Sequence, residues 1–155
     1  MKRLLVAATI AVFSTLIFAG TALAQSGHFV GTPTCRDVGT QVECTGKVAG
    51  LGGTTFTITV EAEGIASVEC RNPAGNVAPG QSFETDLSGT SGPHSTPRNG
   101  QARFAVASTA PSAPAGSCPN PMWTATVTDV QFTSPATLTL FEDGNVSDQI
   151  TVPIR

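Results

Sequence analysis

The segment Thr54-Thr-Phe-Thr-Ile-Thr-Val-Glu61 decides the fold class of this chain. Its side chains alternate, with Phe56, Ile58 and Val60 on one face and polar residues on the other, and a period of two is typical of a strand that buries one face. Other segments show the same alternation, and no helical stripe follows residue 25. The sequence therefore predicts an all-β domain.

Nine strands are predicted from this alternation and from the Gly- and Pro-rich turns that interrupt it. The expected arrangement is a single antiparallel β-sandwich, immunoglobulin-like in architecture, or an open barrel. The inward parity slips near Asp129, which predicts a bulge, and Asp143-Gly144 predicts a type I′ hairpin. The predicted strands cover residues 28–35, 41–49, 54–62, 65–71, 81–88, 101–109, 122–133, 136–142 and 146–154.

The N-terminal sequence predicts export. Two basic residues precede an apolar run, Leu4 to Phe18, and Ala22-Leu-Ala24 has the small-x-small pattern that a signal peptidase cleaves. We therefore assign residues 1–24 as a signal peptide and 25–155 as a secreted domain, extracellular or, in a cell with an outer membrane, periplasmic. A spanning helix is the alternative, but the apolar run is short for one. We expect no membrane insertion after cleavage.

The charge of the expected mature chain argues against two classes of partner. Removing the two basic residues of the signal peptide changes the formal net charge from −3 to −5 and leaves Lys47 as the only lysine. Nucleic acids and anionic lipid surfaces bind clustered Lys and Arg, so neither is expected as a partner. A cell-surface or extracellular ligand is expected instead.

All four cysteines follow the cleavage site, and an even number in an exported chain predicts two disulfides. No pair has C-x-x-C spacing, so no metal site is predicted. Three pairings exist in principle, but a two-residue turn at Gly39-Thr40 places Cys35 directly opposite Cys44. Cys70 and Cys118 then form the second disulfide, which closes a loop of about fifty residues.

Three cysteine- and glycine-containing segments stand out as a set: Cys44-Thr-Gly-Lys-Val-Ala-Gly-Leu-Gly52, Cys70-Arg-Asn-Pro-Ala-Gly-Asn-Val-Ala-Pro-Gly-Gln81 and Cys118-Pro-Asn-Pro-Met-Trp-Thr-Ala-Thr-Val-Thr-Asp-Val130. Together they resemble a group of short secreted bacterial proteins of undefined role. The similarity spans nearly the whole mature chain. It implies export, a β fold and disulfides, and it supplies no activity to carry over.

No catalytic motif is recognisable. The nucleophile elbow of hydrolases is absent, and only His28 and His94 could act as a base at neutral pH. We therefore predict a non-enzymatic protein without a cofactor, which binds a ligand or forms a structural part of the cell exterior. One alternative is a secreted hydrolase built on loop residues such as His94 and Asp86.

A second alternative is a carbohydrate- or cell-wall-binding module in which Trp123 stacks on a sugar ring. The parity that Trp123 shares with Ala125 and Val127 favours a core position beside the Cys70–Cys118 disulfide instead.

A candidate binding surface follows from the expected strand order. If the strands run up and down in order, successive connections alternate between the two ends of the domain, so the long connections 72–80 and 110–121 should meet at one end, where Cys70 and Cys118 join them. The connection 89–100, with His94, should lie at the other end and be mobile. Asparagines also shape turns, which is the simpler interpretation of Asn72, Asn76 and Asn120. The polar residues of the candidate surface are Arg71, Asn72, Asn76 and Asn120.

Overall fold

A computed structural model describes residues 26–155, and these residues form ten β-strands and no helix. The predicted signal peptide and the expected mature start at Gln25 lie outside the described residues. The strands are β1 (His28–Phe29), β2 (Thr34–Asp37), β3 (Val42–Ala49), β4 (Thr55–Arg71), β5 (Val77–Pro79), β6 (Phe83–Ser95), β7 (Ala102–Ala107), β8 (Thr124–Phe132), β9 (Ala136–Glu142) and β10 (Asn145–Val152).

The strands form two antiparallel sheets, which confirms the predicted all-β sandwich with two disulfides. In the short sheet, β3 is central: β1 and β2 pair with one of its edges and β7 pairs with the other. In the long sheet, β4 is central. Strands β5 and β6 follow each other along one edge of β4, and β8 and β9 follow each other along the opposite edge. Strand β10 extends the sheet beyond β9.

The main core lies between the two sheets, where the predicted inward parity is confirmed. Every second residue of β4 from Phe56 to Cys70 is buried. The large fully buried side chains come from both sheets. They are Ile58, Leu138, Leu140, Val42, Val48, Val60, Val130 and Val152.

The hairpin disulfide has the predicted register. Cys35 is the cross-strand partner of Cys44, and the two Cα atoms are 4.1 Å apart. The turn between β2 and β3 is closed by a bond from the Val38 N–H to the Gln41 carbonyl. Gly39, with φ +90°, takes the left-handed conformation that the first central position of a type II′ turn requires.

The Cys70–Cys118 disulfide is also confirmed, and it joins segments that are 48 residues apart in sequence. The connection 110–121 packs against the segment between β5 and β6: the Gln81 N–H donates to the Ser117 carbonyl at 2.8 Å. A Cβ at Gly80 would lie 2.7 Å from both the Cys70 Sγ and the Val68 side chain. The two connections therefore meet at one end of the domain, as predicted.

Two strand predictions that involve glycines were wrong. Segments 54–62 and 65–71 are one strand, β4, of 17 residues. Gly64 does not make a turn there; it makes room for β8, because a Cβ would lie 2.6 Å from the Val130 Cγ1. The predicted strand 81–88 continues to Ser95 as β6, so most of the predicted 89–100 loop is strand.

The division of one strand, the content of one loop and the order of two strands also differ from the prediction. Segment 28–35 is divided into β1 and β2 around Gly31, which has φ +68°. The predicted loop 72–80 contains the short strand β5. Strands β8 and β9 are collinear along β4, so the chain does not reverse between them as an up-and-down order requires.

Two local predictions are confirmed. Ser67 pairs with Asp129 and Val68 with Val127, so β8 has one extra residue beside Asp129, which is the predicted bulge. Asp143 (φ 47°) and Gly144 (φ 83°) have the positive φ angles of a type I′ turn.

The two sheets approach each other closely where β6 passes β7. The Thr109 N–H donates to the Ser88 carbonyl at 2.8 Å. At the adjacent Gly89, a Cβ would lie 1.9 Å from the Ala107 carbonyl oxygen. Only a residue without a side chain fits there, because both partners in the contact are backbone.

We predict that Gly89→Ala destabilises the protein by about 3 kcal/mol, the upper range for overpacking, because the new methyl group forces β6 away from β7. Thr90→Ala, on the exposed neighbouring position, is the control and should change stability by less than about 1 kcal/mol. Urea unfolding measures both, and equal effects would contradict the close approach.

We predict that replacing both Cys70 and Cys118 with Ser lowers the free energy of unfolding by about 4 kcal/mol, and that the same change at Cys35 and Cys44 lowers it by about 2.7 kcal/mol. The first loss is larger because the longer closed loop removes more entropy from the unfolded chain. Reversible thermal unfolding of the two double variants gives the comparison. A larger loss for the hairpin pair would show that loop length does not set the order.

Candidate binding groove

An open groove of about 450 Å³ lies beside the Cys70–Cys118 disulfide. The connection 110–121 forms one wall and the start of β8 forms the other. No charged side chain lines it. The lining residues are Ala113, Pro114, Ala115, Gly116, Ser117, Cys118, Asn120, Pro121, Trp123 and Ala125.

The wall formed by the connection is held by both covalent and hydrogen bonds. Cys118 attaches it to β4. Ser117 is buried, and its hydroxyl donates to the Pro114 carbonyl at 2.8 Å. The backbone N–H of Ser117 donates to the same carbonyl at 3.2 Å. The shape of this wall is therefore fixed by bonds within the protein.

Asn120 shapes the turn that leads into β8. Its side-chain Oδ1 accepts from the Met122 N–H at 2.9 Å, and its carbonyl accepts from the Trp123 N–H at 3.0 Å. This turn places Trp123 in the groove and leaves the Met122 side chain 73% exposed beside it.

The prediction that Trp123 belongs to the core was wrong. Its side chain is half-buried and belongs to neither buried cluster. It shares the inward parity of Ala125, whose partner is Cys70, but the short sheet does not extend over this end of β4. Inward parity here directs the side chain into the groove rather than into a core.

The four polar residues of the candidate binding surface do not all line the groove. Arg71 pairs across the sheet with Thr124, on the face opposite to Trp123, and forms an exposed ion pair with Glu69 at 3.2 Å. Asn72 shapes a turn, because its Oδ1 accepts from the Asn76 N–H at 2.8 Å. Only Asn120 lines the groove.

The groove walls formed by residues 113–116 were not identified from the sequence. Their Pro- and Gly-rich composition indicates only a loop. Cys118 correctly placed the connection 110–121 at this end of the domain, but no pattern indicated which of its residues form a wall.

The residues named for a hydrolase are far apart. His94 is in β6 rather than in a loop, where it pairs with Phe56 and its ring nitrogen lies 3.0 Å from the Ser91 hydroxyl. Asp86 is eight residues away on the same strand, a separation of about 26 Å. His94 is exposed and Asp86 cannot orient it, so these residues form no catalytic arrangement with each other.

Glu142 and Asp143 have a structural role at the other end of the domain. Glu142 accepts from the backbone N–H of Gly27 at 2.6 Å and of Gly52 at 2.7 Å, and from the Ser147 hydroxyl at 2.7 Å. Burial alone would raise the pKa of Glu142, but these bonds and one from Gly53 outweigh it, so the pKa lies below 4.5. The carboxylate joins the N-terminal segment to the β3–β4 connection.

Asp143 holds the start of β4. The Thr54 hydroxyl donates to it at 2.7 Å, and the backbone N–H groups of Thr55 and Thr54 donate at 2.9 Å and 3.1 Å. These bonds lower the pKa of Asp143 from 3.8 to about 2. Because both carboxylates already accept from amides and hydroxyls, their role here is to join chain segments.

Residues 26–155 contain no group of three or more His, Cys, Asp or Glu side chains that could hold a metal ion. Within the same residues, no helix has the length and apolar character needed to cross a membrane. Comparison of the chain with protein-family models, with curated proteins and with solved structures gives no match.

We predict that acid weakens the protein through Asp143. Its pKa is lowered in the folded state, so its contribution to stability is complete above pH 3.8 and is lost as the pH falls towards about 2. Asp143→Asn should lower the melting temperature at neutral pH and make its fall over this acid range less steep. Glu84→Gln, at an exposed carboxylate, is the control, and the same acid slope in wild type and Asp143→Asn would contradict the assignment.

Proposed function

We propose that the protein is an exported, non-enzymatic binding protein and that the groove beside Trp123 takes a neutral saccharide. The observation that carries this proposal is the partly buried Trp123, whose side chain lines a groove without charged residues. An indole face stacks on the apolar face of a sugar ring, and the neutral lining would not attract an ion. The two disulfides support an oxidising compartment outside the cytoplasm.

The size of the groove agrees with a small ligand. Its volume of about 450 Å³ is within the range of roughly 300–1,000 Å³ that is usual for small-molecule sites. Asn120 uses its side-chain oxygen to shape the turn, so its amide nitrogen remains as a donor towards a sugar hydroxyl.

The attachment of the wall favours binding. A loop that must become ordered on binding weakens the affinity by the entropy that it loses. Here the Cys70–Cys118 disulfide and the bonds of Ser117 order the loop in advance. Reduction of this disulfide should therefore weaken binding as well as stability.

The test uses the single tryptophan of the chain, which also contains no tyrosine, so its fluorescence reports on Trp123 alone. Soluble oligosaccharides of glucose and of N-acetylglucosamine are titrated into the protein. We expect a saturable change in emission with at least one of them. Calorimetry should show that Trp123→Ala weakens binding about 30-fold, the loss of about 2 kcal/mol that defines a binding hot spot.

Two variants serve as controls. Trp123→Phe keeps a stacking ring and should retain most of the affinity. Arg71→Ala lies on the opposite face of the sheet and should bind as the wild type does. If none of the oligosaccharides binds, or if Trp123→Ala binds them equally well, the saccharide proposal is wrong.

A further inference from the structure

Two pairs of like charges lie directly opposite each other on neighbouring strands. In the short sheet, Lys47 of β3 pairs with Arg103 of β7. In the long sheet, Glu63 of β4 pairs with Asp86 of β6. Like charges that face each other across a sheet are destabilising. The chain therefore has two unfavourable pairs, of opposite sign, in different sheets.

Both pairs are on the outer surfaces of the sandwich. Lys47 and Arg103 alternate with the buried Val48 and Phe104, which face the core. We call the surface that contains them the basic face, which carries Arg36, Lys47 and Arg103. Glu43, the cross-strand partner of Arg36, lies on the same face and offsets one of these positive charges.

The outer surface of the long sheet has the opposite charge. Glu63 and Asp86 alternate with the buried Ala62 and Leu87. We call this surface the acidic face. It is formed by Glu61, Glu63, Glu84 and Asp86, all of which are exposed.

Neither unfavourable pair is neutralised within the described chain. In residues 26–155, the one ion pair joins Arg71 to Glu69, which lie on the same side of β4 as Glu63 but six and eight residues further along the strand. The two faces are on opposite sides of the core, so a single molecule cannot bring them together. A second molecule with the same surfaces can.

We propose that the basic face of one copy of this chain docks on the acidic face of the next. Docking places Lys47 and Arg103 opposite Glu63 and Asp86 and relieves both repulsions at once. Because the two surfaces differ, the contact is head-to-tail and can repeat from copy to copy. This proposal does not depend on the saccharide groove.

The size of the basic face indicates weak association. Three strands of up to eight residues cover roughly 14 Å by 26 Å at ordinary strand spacing, an area of about 360 Å². This area is well below the roughly 800 Å² that each partner buries in a stable complex. We therefore expect association to depend on concentration and to be sensitive to salt.

Sedimentation velocity of the purified, disulfide-bonded protein tests this. The sedimentation coefficient should rise with protein concentration at about 0.01 M salt, where the Debye length is about 30 Å, and should not rise at about 1 M salt, where it is about 3 Å. A coefficient that is independent of concentration at low salt would overturn the proposal.

Charge reversal distinguishes this contact from non-specific association. Lys47→Glu with Arg103→Glu, and separately Glu63→Lys with Asp86→Lys, should each weaken self-association at least tenfold, because like charges would then meet. A mixture of the two variants should associate again, as should one chain with all four changes. If reversal has no effect, or the mixture stays monomeric while both variants remain folded, the assignment of the faces is wrong.

Cross-linking of the unmodified protein gives a second measurement that does not depend on the folding of a variant. Lys47 is the only lysine in residues 26–155. A zero-length carbodiimide reagent should therefore link Lys47 of one copy to Glu63 or Asp86 of another, and the link should disappear at high salt. Cross-links from Lys47 only to carboxylates outside the acidic face would overturn the proposal.

Discussion

The length of β4 is the constraint on which the rest of the structure depends. Its 17 residues span about 56 Å, whereas the eight residues of β3 span about 26 Å. The short sheet can therefore cover only about half of β4. The inward residues of the remaining half are protected in other ways. Ala66, Leu87 and Val130 form a second buried cluster, and Gly80 packs against Val68. A loop of Pro, Ala, Gly and Ser is held against Cys70 by its disulfide to Cys118. The groove exists because a loop, and not a sheet, closes this end.

The same constraint explains why the chain needs strong contacts at its other end. There the two sheets overlap, and the segments that pass between them have backbone N–H groups without sheet partners. Glu142 and Asp143, at a hairpin turn, accept from Gly27, Gly52 and the threonines that start β4. Two consecutive carboxylates thus satisfy backbone donors from two separate segments, one at Gly27 and one at residues 52–55. Ionised acceptors suit this task because charge-assisted bonds are stronger than neutral ones.

Much of the fold could be predicted from local patterns. The alternation of Phe56, Ile58 and Val60 identified β4, and turn chemistry identified the Cys35–Cys44 register, because both depend on neighbouring residues. Gly64 and Gly89 were placed outside the predicted strands and Trp123 was placed in the core, and all three placements were wrong for one shared reason. Their roles depend on what lies in the next strand or layer: Val130 beside Gly64, the Ala107 carbonyl beside Gly89, and no sheet above Trp123. A period of two shows which way a side chain points and does not show what it meets.

The groove and the charged faces are far enough apart for both to be occupied at the same time. Glu63 and Arg71 are eight residues apart on β4, so the acidic face and the strand end that carries the groove are separated by about 26 Å. A copy centred on the acidic face, with a contact about 26 Å long, would extend half of that length, about 13 Å, towards the groove. Head-to-tail association would therefore leave each groove open. A row of copies would present one groove per copy, and a repetitive polymer such as a polysaccharide could occupy several of them, so that avidity would compensate for weak binding at each single groove.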